Sequence, residues 1–137
     1  MSILTQLDGA MNLLHKVLDL RTTNQQVIAS NIANADTPGY APASFQFEKQ
    51  LRNAVSEVDI RPVTNQPGHF AITPDSINQI KGEITRSPDK TRIGDQNGVK
   101  LDQEMINLSE NQILYEAAMT MLNKKLALLK YSANDGK

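Results

Sequence analysis

From Leu4 onward, apolar residues return at spacings of three and four: Leu4, Leu7, Met11, Leu14 and Leu18, then Ile28, Ile32 and Ala35. Arg21 and Gln25 keep the register between the two runs. This is a heptad stripe on one face of a helix, with a polar interruption at its middle. Two more lines seven residues apart, Ile3/Ala10/Val17 and Leu13/Leu20/Val27, make the apolar surface wider than a single seam. The spacing predicts a helix over about 3–36, with Ser2 placed to cap it. At ~1.5 Å per residue such a helix is roughly 50 Å long.

The same pattern returns near the other end. Leu101, Met105, Leu108, Gln112, Tyr115, Met119, Leu122, Leu126 and Leu129 follow four-three spacing without a slip, and Leu114, Met121 and Leu128 form a second line. These residues predict a helix over about 102–131, with Asp102 as N-cap and Leu101 and Ile106 as a hydrophobic staple.

The segment between them cannot be a long helix. It contains Pro38, Pro42, Pro62, Pro67, Pro74 and Pro88, with Gly68, Gly82, Gly94 and Gly98. A short helix is predicted at about 44–56. Extended pieces are predicted at 69–73 and around 80–84, where Lys81-Gly82-Glu83 turns a small hairpin, and 85–98 reads as loop. The chain therefore divides into an N-terminal helix (1–36), an irregular middle (37–100), and a C-terminal helix with tail (101–137). The fold class is mainly α: long terminal helices form a coiled-coil-like pair, and the middle contains short β pieces. Pairing leaves Leu13/Leu20/Val27 and Leu114/Met121/Leu128 exposed, and apolar stripes of that size suit partner surfaces.

Composition narrows the function. In 137 residues there are three Phe, three Tyr and no Trp, too few large side chains for an ordinary packed globule and better suited to long helices. The net charge of −1 creates no field that would gather nucleic acid or anionic lipid. The absence of cysteine excludes disulfides, thiolate metal sites and a cysteine nucleophile. The N-terminal stretch lacks the basic start and unbroken apolar core of a secretory signal. His15 and His69 have no second histidine or carboxylate at ligand spacing, and Ser30 has no nucleophile frame. Gly94-Asp95-Gln96-Asn97-Gly98 lacks the lysine-serine pair of a phosphate loop and the spaced acids of a calcium loop, so it reads as a turn. Lys124-Lys125 reads as a solvated helix end. No catalytic, cofactor-binding or metal-binding residue is assigned, and no nucleic-acid or small-molecule partner.

One stretch has more content than its helix requires. In "ASNIANADTPGY" (29–40), Pro38 stops the helix and biases Thr37 toward extended backbone. Gly39 takes conformations that other residues reach at a cost. Ala29, Ala33 and Ala35 allow close backbone approach, and the Asn31 and Asn34 amides can bond loop or neighbouring backbone. This stretch resembles the A-x-N-I-A-N-x-x-T-P-G-Y signature of the bacterial flagellar rod and hook proteins. "DQNGVKLDQEM" (95–105) is similar to the D-G-N-x-V-x-L-D-x-E-M run that leads into their C-terminal helix, and "ENQILYEAAMTMLNKKLALLK" (110–130) to an E-N-x-x-Y…L-N-K-K-L helix. Together they resemble the proximal rod subunits of the basal body most. The chain departs from the pattern at Ala41-Pro42-Ala43-Ser44-Phe45 and at Asp95-Gln96-Asn97-Gly98, which permutes the usual Asp-Gly-Asn-Asn order.

The resemblance implies a non-enzymatic structural subunit of the proximal rod. It implies helical self-assembly through the terminal helices, with other rod proteins, a rod-base adaptor, the membrane ring and the export gate as partners. It further implies torque transmission for motility and type III export to the periplasmic space without a cleaved signal. The motif residues are then Asn31, Ile32, Ala33, Asn34, Thr37, Pro38, Gly39 and Tyr40. The assembly seam is Leu4, Leu7, Met11, Leu14, Leu18, Ile28 and Ile32, with Met105, Leu108, Tyr115, Met119, Leu122, Leu126 and Leu129. The alternative from another class is a soluble helical adaptor or chaperone-like binder of one partner, held by the same stripes.

Overall fold

In the computed structural model, helix α1 spans Ile3–Ala33 and helix α3 spans Leu101–Asn134. Between them lie strand β1 (Ala43–Gln46), helix α2 (Glu48–Ser56) and strand β2 (Glu83–Arg86). The structure describes residues 3–56, 77–88 and 94–134, the side chains of 3–8 and 56 excepted. The extended piece expected at 69–73, His69 and the Ser2 cap lie outside the described residues.

The terminal helices pack antiparallel. Leu18 meets Ala118 and Leu122, Asn24 meets Asn111, and Thr37 beyond the end of α1 meets Asn97 ahead of α3. Leu18, Ala118 and Leu122 form the buried centre of the seam, flanked by Met11, Leu14, Val17, Tyr115 and Met119. On α3 the positions turned inward run Leu108, Asn111, Tyr115, Ala118, Leu122, Lys125 and Leu129, still at four-three spacing. The apolar stripe read from the sequence shares Leu108, Tyr115, Leu122 and Leu129 with this line. It also has Met119, half-buried at the edge of the seam, and Met105, Gln112 and Leu126, which are exposed while the structure turns Asn111 and Ala118 to α1.

A second cluster lies on another side of α1, built from Leu20, Phe47 and Ile80 with Phe45, Leu51 and Ala54 around it. Leu20 was expected to remain outside the helix pair, yet it is 4% exposed, and Leu13 and Val27 are half-buried. The middle segment supplies the cover: Phe47 and Ile80 pack large apolar groups against Leu20.

Three further expectations are corrected. The helix at 44–56 is a strand followed by a shorter helix. Ala43 and Phe45 turn inward while Ser44 and Gln46 face solvent, and Phe47 accepts the first helical bond from the Leu51 amide at 2.9 Å. The hairpin around Lys81-Gly82-Glu83 does not form. β2 pairs antiparallel with β1 instead, with Phe45 opposite Ile84. Gly82 has φ +68, and any side chain there would run into the Phe45 ring. Finally, α3 begins at Leu101, with the Glu104 amide bonded to the Lys100 carbonyl at 3.0 Å. Lys100 is therefore the cap residue and Asp102 belongs to the first turn, where its charge favours the positive end of the helix dipole. Leu101 and Ile106 are 47% and 53% exposed and form no staple.

Candidate functional site

The signature stretch closes the end of α1 residue by residue. After Ala33 the helix tightens into turns that bond three residues back: Asn34 to Asn31, Ala35 to Ile32 and Thr37 to Asn34, at 3.0–3.2 Å. The carbonyls of Asn34 and Thr37 already accept one backbone amide each, from Thr37 and Tyr40, and the last carbonyls of the turn have room for further donors. The Asn97 amide, far along the chain, supplies them. Its nitrogen lies 2.9 Å from the Asn34 carbonyl, 2.6 Å from that of Ala35 and 2.9 Å from that of Thr37. Its two hydrogens are shared among three acceptors. The Asn97 side-chain oxygen accepts the Val99 amide at 2.8 Å, and the Asp95 carboxylate accepts the Asn97 amide at 3.1 Å. Gly39 donates to the Asp95 carbonyl, and Gly98 donates to the Tyr40 carbonyl at 3.2 Å.

Residues 94–98 are thus more than the plain turn predicted for them: they are a clasp on the end of α1. Gly39 (φ +70) and Gly94 (φ +75) take the left-handed backbone that the clasp requires, and Gln96 adopts it without being glycine (φ 55).

Asn31 does the equivalent work one turn earlier. It is 1% exposed and pairs with both polar groups of Ala43, donating to its carbonyl at 2.7 Å and accepting its amide at 2.9 Å. The Tyr40 hydroxyl donates to the same side-chain oxygen at 3.3 Å. Asn34 donates to the Ser30 carbonyl at 2.8 Å and accepts from the Thr37 hydroxyl at 3.2 Å. Ile32 is half-buried, while Ala33, Thr37, Pro38 and Gly39 are exposed. The small, amide-bearing residues before the helix stop therefore have a specific reason: apolar residues at 31 and 34 would leave strand, turn and helix end without partners.

A polar layer crosses the helix pair next to this junction. Asn111, 1% exposed, accepts from the Asn24 amide at 3.0 Å and donates to the Arg21 carbonyl at 2.9 Å. The Arg21 guanidinium lies 4.8 Å above the Phe47 ring and pairs with Glu48 at 3.1 Å. Asn97 and Asn111 stand in the sequence as letters of the two runs that resemble the rod family, without a role assigned to them, and Asn24 has no signal beyond an amide where an apolar residue would serve. A cavity of about 170 Å³ opens beside this layer, lined by Arg21, Asn24, Glu48, Glu104, Glu110 and Asn111 among others.

The seam residues divide by burial. Leu18, Ile28 and Leu122 are buried, and Met11, Leu14, Ile32, Leu108, Tyr115, Met119 and Leu129 are half-buried. Met105 and Leu126 are 50% and 44% exposed on the outer side of α3. The side chains of Leu4 and Leu7 lie outside the described residues. Ile113, Leu114, Met121 and Leu128 add to the apolar surface that α1 leaves open. The chemically capable side chains are not brought together: His15 is exposed, and it lies roughly 22 Å along α1 from Ser30 at the helical rise. Among the described residues no helix is long and apolar enough to cross a membrane, and no group of three or more potential ligands could hold a metal ion.

Residues 18–40, which hold the central part of α1 and its closing turn, match the family of flagella basal body rod proteins. Over 132 residues the chain is 32% identical to the flagellar basal body rod protein FlgB of Salmonella typhimurium, covering 90% of this chain and 92% of that protein. It is 31% identical to FlgB of Escherichia coli over 133 residues, at 90% and 92% coverage. It is 30% identical to FlgB of Bacillus subtilis over 129 residues, at 94% and 96% coverage.

Proposed function

This chain belongs to the flagellar basal body rod proteins, and from that premise we propose that it is a proximal rod subunit that assembles helically through α1 and α3. It is a structural subunit of the rod, related along nearly its whole length to proteins of that name. The observation that carries the finer reading is the junction, where two of the stretches that resemble the rod family, 29–40 and 95–105, bond to each other. That clasp aligns the two helices and leaves the outer apolar side of α3 open to neighbouring subunits.

Stacked copies share these faces, and many shared contacts make a stiff cylinder. The cylinder joins the membrane ring and export gate, through a rod-base adaptor, to the rest of the rod and transmits torque. The subunit reaches the periplasmic space by flagellar type III export. Deleting the chain in its own organism should abolish swimming and arrest basal bodies at rings without a rod, and the unaltered chain should restore both. Normal swimming in the deletion strain would overturn the proposal.

A further inference from the structure

The face that α3 turns to α1 is the less apolar of two that its sequence offers. Between the shared positions Leu108, Tyr115 and Leu122, the buried line carries Asn111 and Ala118. The neighbouring line carries Gln112 and Met119 at the corresponding places and runs on through Met105 and Leu126; Met119 already packs on the edge of the seam, whereas Met105 and Leu126 are largely exposed. The two lines differ by a rotation of roughly 50° about the helix axis, from 3.6 residues per turn. Hydrophobic burial alone favours the other rotation. Something specific must hold the observed one.

We infer that the Asn24–Asn111 layer is the device that selects which face of α3 meets α1. Asn111 is 1% exposed, and both ends of its amide are bonded to α1: the oxygen to the Asn24 side chain at 3.0 Å and the nitrogen to the Arg21 carbonyl at 2.9 Å. Turning α3 toward its richer stripe breaks both bonds and leaves Asn24 without its acceptor. It also drives Gln112, which now bonds Glu116 on the outer side at 3.0 Å, into the seam. Unpartnered buried amides oppose that state more strongly than the added apolar contact favours it. A single buried amide in a two-helix seam fixes register in this way, because only one arrangement satisfies it. The consequence is that the Met105/Leu126 side remains outside the chain's own core. The inference concerns the isolated chain and stands whether or not the rod reading does.

The absence of cysteine makes the test clean, since each introduced thiol is the only one present. Met105→Cys and Leu114→Cys are placed one at a time on opposite shoulders of α3, at sites 50% and 43% exposed. Their alkylation rates are measured with Asn111 intact, in Asn111→Leu, and in Asn24→Leu/Asn111→Leu, where no amide is left unpaired. With the layer removed, α3 should rotate toward its richer stripe. The thiol at 105 should then react about tenfold more slowly, as a newly protected site does, and the thiol at 114 should react faster. Opposite movement of the two rates in either variant supports the inference. Unchanged rates in both variants would overturn it and assign the choice of face to the Asn97 clasp. Faster reaction at both sites in both variants would also overturn it, because the layer would then be needed for folding and not for choosing a face.

Discussion

Asn97 holds three carbonyls at the end of α1 with one side chain, and its oxygen holds the backbone leading into α3. Asn97→Ala removes the side-chain donor from all three carbonyls, of which those of Asn34 and Thr37 keep one backbone amide each, and the expected loss of folding stability is about 1–2 kcal/mol. Urea denaturation measures it, and hydrogen exchange at Gly39 and Gly98 should accelerate with it; an unchanged midpoint would contradict the clasp. Its neighbour Gln96 is an opportunity of the opposite sign. It holds φ 55, a conformation that disfavours side chains. Gln96→Gly should raise stability by about 0.5–1 kcal/mol, relief of strain exceeding the added chain entropy, and a lowered thermal midpoint would count against the turn geometry. The helix stop was legible at Pro38 and Gly39 because both act on their own backbone. Asn97 was not, since its partners lie 60 or more residues away and a local pattern cannot name them.

At the scale of elements, the terminal helices were legible because a four-three apolar rhythm over thirty residues has few other interpretations. On α1 the described residues of the stripe are buried or half-buried, whereas on α3 Leu101, Met105, Gln112 and Leu126 of the stripe are exposed. The rhythm marks the most apolar line, whereas the structure follows the line that satisfies Asn111. The middle segment was misread for a different reason. In "ASFQFEKQL" the alternation of Ala43, Phe45 and Phe47 is brief, and the good helix formers after it mask its two-residue period. The partner of β1 is β2, some forty residues on, so no local turn announces the pairing. Phe47 carries this small unit, being 2% exposed, packed with Leu20 and Ile80 and stacked beneath Arg21. Phe47→Ala should cost about 3–5 kcal/mol and selectively speed hydrogen exchange in β1 and α2. Retention of wild-type exchange there would show that the second cluster does not hold the strand pair to α1.

For the whole molecule, two long helices joined by a modest middle bury one seam and leave a broad apolar side of α3 to solvent. A chain built this way is suited to stacking with copies of itself and its relatives. Leu18→Asp or Leu122→Asp places a charge in the seam, where both side chains are more than 90% buried. Neither variant should restore swimming to a strain lacking this chain, and normal swimming with either would remove the seam from the account. The most direct measurement is mass spectrometry of detergent-stripped basal bodies from the organism that carries the chain. The account predicts that the chain is retained with the ring and rod proteins after stripping. Recovery of the chain only in the soluble fraction, with a single partner, would contradict it.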